Sequence, residues 1–277
     1  MKNVLIEFSN ILSDCGVNNA LIEIQRFLSD VFNIPLSRII AGDFEFTEEM
    51  ENRLKDFVSR RALGVPYSYI TGFAYFYGLR FAVNQHVLIP RPETEILVEY
   101  ILKRELSDFK GTVLDCCTGC GNIAISLGLQ MKEASIIATD ISKFAVLTGY
   151  KNSAYHSAKN VFFMVADKLE AFKPESFDII VANPPYIGFK EENILEKEVL
   201  NEPYSALFGG EEGFEFTYDL LVQAKKVLKK DGYMVFEMGY NQKEIIEGII
   251  KSLFPGNSYF FLKDLNGHYR AGVIEGA

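Results

Sequence analysis

The sequence predicts an α/β protein, a mostly parallel sheet with helices on both faces, preceded by a small helical domain. Three observations predict it. Apolar side chains recur at helical spacing through the first 65 or so residues. Between about residues 65 and 92 the pattern turns aromatic and β-branched, punctuated by glycine and proline. From residue 111 onward, short apolar runs alternate with segments of helical length.

In the first segment Leu21, Ile24, Leu28 and Val31 form one stripe, and Met50, Leu54, Phe57 and Val58 form another. Thr47 before Glu48 and Glu49 reads as a helix start, because a threonine hydroxyl can accept from the free N–H groups of a first turn. Residues 1–70 are therefore expected to form the helical domain. The stretch "GVPYSYITGFAYFYGLRFAVNQHVLIPRP", with Gly72, Gly78, Pro90 and Pro92, reads as a hairpin linker over residues 71–92. Residues 93–277 then form the α/β domain. Its expected strands are "TVLDCC", "SIIATD", "VFFMVAD", "FDIIVAN" and "GYMVFEM". "IAISLGLQM" is a helix after the first strand. Leu220, Leu221, Ala224, Val227 and Leu228 share the face of a second helix, which the polar run from Lys229 to Gly232 should stop. The helical "QKEIIEGIIKSL" precedes two last strands, "SYFFL" and "AGVI".

Hydrophobic residues make up 48% of the 277 and charged residues 23%, the balance of a chain that buries a core without covalent staples. The formal net charge of −9 repels phosphate backbones unless one face is locally basic, which disfavours direct nucleic-acid binding and leaves room for an acidic face that meets a basic partner. Cys116, Cys117 and Cys120 crowd into one short stretch with only Cys15 elsewhere, unlike a disulfide framework, and point to a reducing compartment. The N-terminus lacks the apolar core and small-residue site of a signal peptide, and no run of 18 apolar residues occurs. A soluble, cytoplasmic protein is expected, and, with no long apolar stripe left over, a monomer.

Strand "TVLDCC", turn "TGCGN" and the helix after it follow the order of a nucleotide-binding fold, with Gly119 and Gly121 letting backbone approach a ligand. Asp140 ends the next strand 19 residues after Gly121, where an acid accepts from ribose hydroxyls. That spacing fits both NAD and S-adenosylmethionine. The turn lacks the full G-x-G-x-x-G spacing that seats a pyrophosphate, and Asp115 at its start suits an ammonium or sulfonium, so S-adenosylmethionine is the better fit. Asp167, with Lys168 beside it, is placed to meet an adenine edge. Cys117 and Cys120 form a C-x-x-C, but no second cysteine pair exists and His86, His156 and His268 are distant in sequence, so no metal site is expected.

In open α/β sheets ligands sit beyond the carboxyl ends of the strands, where "NPPY" follows "FDIIVA". The Asn183 side-chain oxygen and the Pro184 carbonyl can both accept from one NH2 group. Pro184 and Pro185 remove two backbone donors and stiffen the turn, and Tyr186 offers an aromatic face. Such a site orients a planar nitrogen, whose lone pair is delocalised, for direct methyl displacement.

These residues resemble a known family, the peptide-chain release factor N(5)-glutamine methyltransferases (the PrmC/HemK family). The resemblance runs from about Gly64 to the C-terminus through "YITG", "VLIPRPETE", "DCCTGCGNIAI", "ATDIS", "NPPYI", "EPYSALFGGEEG" and "KDLNGHYR". "NPPY" is shared with methyltransferases of exocyclic base amines; "IPRPETE" and "EPYSALFGGEEG" are more specific. The resemblance implies a class I S-adenosylmethionine-dependent methyltransferase domain with a Rossmann-like, seven-stranded mostly parallel sheet, a β-hairpin linker, and an N-terminal helical domain that helps engage the release factor. It implies S-adenosylmethionine as donor, S-adenosylhomocysteine as product, and the glutamine of a class-1 release factor's Gly-Gly-Gln motif as acceptor. By that similarity Cys117, Thr118, Gly119, Cys120, Gly121, Asp140, Asp167, Lys168 and Asn183 line the cofactor. Asn183, Pro184, Pro185 and Tyr186 hold the glutamine, with Asn183 and Pro184 at the reacting nitrogen. Arg91, Glu93 and Glu95 support the site from the linker. Two positions depart from the family pattern: Cys117 replaces a glycine, which is expected to fit if φ stays negative, and Lys168 stands where an aromatic can follow the third-strand acid.

Overall fold

The computed structural model describes residues 2–105 and 108–276. In chain order the elements are helices α1 (Lys2–Asp14), α2 (Ala20–Phe32), α3 (Leu36–Ala41), α4 (Glu48–Ala62) and α5 (Tyr67–Thr71); a hairpin of β1 (Phe73–Phe76) and β2 (Leu79–Ala82); α6 (Glu95–Arg104), β3 (Thr112–Cys116), α7 (Asn122–Gln130), β4 (Ser135–Asp140), α8 (Lys143–His156), β5 (Val161–Val165) and β6 (Phe177–Ala182). There follow β7 (Ile187–Gly188), α9 (Lys197–Leu200), α10 (Tyr204–Leu207), β8 (Phe208–Gly210), α11 (Glu215–Val227), β9 (Leu228–Glu237), α12 (Lys243–Leu253), β10 (Tyr259–Lys263) and β11 (Tyr269–Glu275). The chain divides into two compact units, Met1–Phe73 with Glu196–Asn201, and Ala74–Leu195 with Glu202–Ala277.

In the first unit α4 starts as its sequence dictates, with the Thr47 hydroxyl accepting from the Met50 N–H at 3.3 Å. Met50, Leu54, Phe57 and Val58 are all buried. The stripe of α2 holds at Ile24 and Leu28, which are buried with Ala20 and Phe27, and at Val31, which packs against the same core, whereas Leu21 is exposed. Phe27 stacks on Phe57 with ring centroids 4.2 Å apart, and so large a ring decides which face of the helix turns inward. The buried Arg61 guanidinium bonds the Glu23 carboxylate at 2.6 Å and also that of Glu198, next to which Asn201 Nδ2 donates to the Gly64 carbonyl at 3.1 Å. These bonds tie the Glu196–Asn201 segment to α4 and the turn after it.

The second unit is built on a seven-stranded sheet of order β10-β11-β9-β6-β3-β4-β5, in which β11 alone runs antiparallel to its neighbours. The fold class is the one the sequence predicts. Strands covered on both faces need continuous apolar runs, and Ile179 to Ala182 are fully buried accordingly. One junction differs. α11 ends at Val227 and Leu228 already pairs with Phe177 as the start of β9, so the polar run from Lys229 to Gly232 interrupts a strand and does not stop a helix. Register jumps there from the Phe177–Leu228 pair to the Ile179–Tyr233 pair, and Lys229 Nζ bonds Asp178 Oδ2 at 2.8 Å beside the irregularity. From β3 the chain proceeds to β4 and β5 on one side, then crosses to β6 on the other, so the strand order reverses between β3 and β6. Cys116 and Ala182 are register partners at the carboxyl ends of these two strands. The turns that begin at Cys117 and Asn183 therefore open side by side on the crevice where such sheets bind ligands.

Candidate active site

The turn after β3 is left-handed three times, at Cys117 (φ +64°), Gly119 (φ +54°) and Gly121 (φ +83°). The condition under which cysteine was expected to fit at 117, a negative φ, is not met: the chain must reverse at once to enter α7, and position 117 takes the conformation glycine adopts without strain. Lys168, the other departure, also has a positive φ, +47°. Asp115 is fully buried behind the turn, where its Oδ2 accepts from the Thr118 hydroxyl at 2.6 Å and from the Ala124 N–H at 3.1 Å. It fastens strand to helix through Oδ2, while its Oδ1 is buried with no hydrogen-bond partner among the described residues. Burial pushes its carboxyl up to about 7, against those two hydrogen bonds.

Asp140, at the end of β4, faces the same turn. Its Oδ2 accepts from the Gly119 N–H at 3.0 Å and its Oδ1 from the Ser142 N–H at 2.9 Å. Each carboxylate oxygen can take a second donor. Burial raises this carboxyl above its ordinary value while the two backbone N–H groups oppose the rise.

The structure brings Cys117, Thr118, Gly119, Asp140, Asp167, Lys168, Asn183 and Pro185 to the wall of one cleft. Cys120, Gly121, Pro184 and Tyr186 are not on that wall. Cys120 is fully buried with its thiol on Asn122 Oδ1 at 3.5 Å, and a side chain on Gly121 would press on the Phe163 ring. Cys117 instead lies against Cys116, sulfur to sulfur 3.9 Å, so the C-x-x-C sulfurs have separate surroundings. Lys168 Nζ sits 4.8 Å from the centre of the Phe216 ring and 3.6 Å from Asp219 Oδ2, and Phe216 lines the cleft. An aromatic ring thus stands beside Lys168, contributed by α11, which no local sequence signal announces.

At the Asn183 turn the side-chain NH2 donates to Thr94 Oγ1 at 3.1 Å, and Thr94 Oγ1 donates to Glu237 Oε2 at 2.5 Å. The Asn183 amide oxygen has no hydrogen-bond partner among the described residues. The Tyr186 side chain lies beside Glu237 and Arg270, whose opposite charges both act on its hydroxyl. Burial pushes Glu237 up to about 7, with the Thr94 and Tyr186 hydrogen bonds acting in the opposite direction. The Tyr186 carbonyl accepts from Gln242 Nε2 at 2.8 Å. Behind the turn, a Cβ on Gly209 would run into the Pro185 carbonyl oxygen and one on Gly213 into that of Tyr186. The glycines of "FGGEEG" are there to let backbone pack directly against "NPPY".

The "RPETE" residues act at a distance from the cleft. Glu202, nearly fully buried, accepts from the Ile89 N–H at 2.9 Å and from the Arg91 guanidinium, and Glu95 Oε1 accepts from the Tyr77 N–H at 2.7 Å. Thr94, between them, is the member that reaches the cleft wall. Thr94, Phe216 and Glu237 are the functional candidates the sequence reading did not find.

Such a cleft offers acceptors and acids at one end and a rigid, acceptor-bearing turn at the other. Comparison with known proteins agrees. Residues 92–212 match the family described as Methyltransferase small domain, and residues 3–72 match the PrmC N-terminal domain. The chain is 37% identical over 257 residues to the release factor glutamine methyltransferase of Thermodesulfovibrio yellowstonii, covering 91% of each chain. It is 36% identical over 232 residues to the protein of the same name from Enterococcus faecalis, covering 83% of each. Among solved structures, a methyltransferase from Pyrococcus furiosus shares the fold with a TM-score of 0.54 at 18% identity, over 81% of this chain and 98% of that one.

Proposed function

The chain belongs to the release factor glutamine methyltransferase family, and from that premise we propose that it methylates the side-chain amide nitrogen of the glutamine in the Gly-Gly-Gln motif of class-1 peptide-chain release factors, with S-adenosylmethionine as donor. The observation that carries the reading is the Asn183 amide, tied back through its NH2 and left with its oxygen unpartnered beside the crevice. An oxygen so placed accepts from an NH2 group and holds it still.

The residues present fit the donor. A Cβ on Gly119 would meet nothing within 4 Å, so the absent side chain leaves space in the cradle, and Asp140 keeps a lone pair on each oxygen for hydroxyl donors. Asp140 would hold the ribose, Gly119 and its neighbours the amino-acid end, and Asp167, Lys168 and Phe216 the base. When bound, S-adenosylmethionine supplies the methyl group as a sulfonium electrophile, and transfer leaves S-adenosylhomocysteine and one proton.

Asn183 Oδ1, on the cleft wall, would accept from one amide hydrogen of the glutamine; the Pro184 carbonyl, expected to take the other, could do so only if the acceptor reaches past that wall. Pro184 and Pro185 keep the turn rigid, and Gln242 braces it at the Tyr186 carbonyl. Residues 1–70 would engage the release factor, residues 71–92 would link, and residues 93–277 would carry the chemistry, in a cytoplasmic monomer that binds neither nucleic acid nor membrane directly. Among the described residues no helix is long and apolar enough to cross a membrane.

Asn183→Ala tests the reading. With labelled S-adenosylmethionine and a purified release factor, transfer should fall by about 100-fold or more, with the thermal unfolding transition unchanged. Retained turnover in this variant would rule out the assigned role of Asn183.

A further inference from the structure

We propose that Thr94 is a positioning residue, whose hydroxyl is committed as a donor to Glu237 and thereby turns the Asn183 side chain so that its oxygen, and not its NH2, faces the cleft. The inference rests on the role of Asn183 proposed above.

Asparagine presents a donor and an acceptor of nearly the same shape, so its orientation is decided by what its neighbours can give or take. An ionised carboxylate only accepts. Glu237 Oε2 therefore takes the single proton of Thr94 Oγ1, 2.5 Å away, and leaves that oxygen with lone pairs alone. Only an NH2 group can then satisfy Thr94 from the other side, which is the arrangement seen at 3.1 Å. The chain of donors runs one way, from Asn183 to Thr94 to Glu237.

The three groups come from separate segments: Asn183 from the end of β6, Thr94 from the end of the short turn Pro92–Thr94, and Glu237 from the end of β9. Thr94 and Glu237 are each about 1% exposed, so water does not compete for these bonds. Around Glu237 stand the Tyr186 hydroxyl, the Arg270 guanidinium on β11 and the Glu93 carboxylate. The alternative orientation would point the Asn183 NH2 at the NH2 of an incoming amide, donor against donor.

The test uses the full chain with Thr94→Val, which keeps the shape and removes the hydroxyl, and Thr94→Ser, which restores it. Thr94→Val should lower kcat for methyl transfer on the order of 10- to 100-fold while KM for S-adenosylmethionine stays within about twofold; Thr94→Ser should recover most of the loss. A second readout needs neither cofactor nor acceptor. The side-chain NH2 resonances of Asn183, identified by their loss in Asn183→Ala, should exchange slowly with water in the parent and in Thr94→Ser, and faster in Thr94→Val. Unchanged exchange in Thr94→Val, a kcat within twofold of the parent, or a Thr94→Ser as impaired as Thr94→Val would each overturn the inference. If the parent transfers no methyl group to a release factor, the proposed function fails, and the NMR comparison alone decides the role of Thr94.

Discussion

Glu237 makes the site sensitive to pH. Burial lifts its carboxyl to about 7 from an ordinary value of 4.5; Thr94, Tyr186 and Arg270 pull it down and Glu93 pushes it up. A protonated Glu237 can itself donate to Thr94 Oγ1 and free the Thr94 proton, whereas the ionised form can only accept it, so kcat should rise through an inflection near pH 7 and level off above it, and Glu237→Gln should be slow at every pH with that inflection gone. A profile with the same inflection in the variant would assign it to another group. The sign for stability is opposite: a carboxyl whose folded value is raised binds its proton more tightly when folded, so its contribution favours the fold below about 4.5 and is lost as pH rises through 7. Activity and stability are thus drawn toward different sides of neutrality by one residue. The residue scale also shows what can be read from sequence. Asn183 and Asp140 stand out because a strand and a turn announce them. Thr94 and Glu237 do not, because 89 and 143 residues separate the partners of their hydrogen bonds, and the left-handed φ of Cys117 leaves no mark on its neighbours.

The elements explain why "EPYSALFGGEEG" accompanies "NPPY". Glu202 holds the linker at Ile89 and Arg91, and the backbone at Gly209 and Gly213 packs on the carbonyls of Pro185 and Tyr186. Gly209→Ala places a methyl group against the Pro185 carbonyl, and the rigid proline turn has to move. We expect a cost of about 1–3 kcal/mol in unfolding free energy by chemical denaturation, with methyl transfer reduced more than S-adenosylmethionine affinity. An unchanged denaturation midpoint would mean that the turn yields without strain. Most strands were legible because burial on both faces demands unbroken apolar runs. The α11–β9 junction was not, since Val227 and Leu228 are equally apolar in either state and only pairing with Phe177 separates them. Ile24 and Leu28 of the expected α2 stripe are buried and Val31 packs on the same core; Leu21 alone faces out, because Phe27, which stacks on Phe57, takes the inward face.

Over the whole molecule, the strand reversal between β3 and β6 brings together a turn suited to a nucleoside and a turn suited to an amide, and the chain's order alone foretold that meeting. The assignment of Glu196–Asn201 to the first unit was hidden, because it depends on Arg61 and Glu198, 137 positions apart. The net charge of −9 gives the molecule a field that repels phosphate backbones unless one face is locally basic. The identity of the acceptor is tested by incubating the protein with S-adenosylmethionine and a purified class-1 release factor and mapping the mass gain by peptide mass spectrometry. The expectation is a single added methyl group on the glutamine of the Gly-Gly-Gln motif, absent with Asn183→Ala. A release factor left unmodified by an enzyme that binds S-adenosylmethionine, or a methyl group on any other residue, would contradict it.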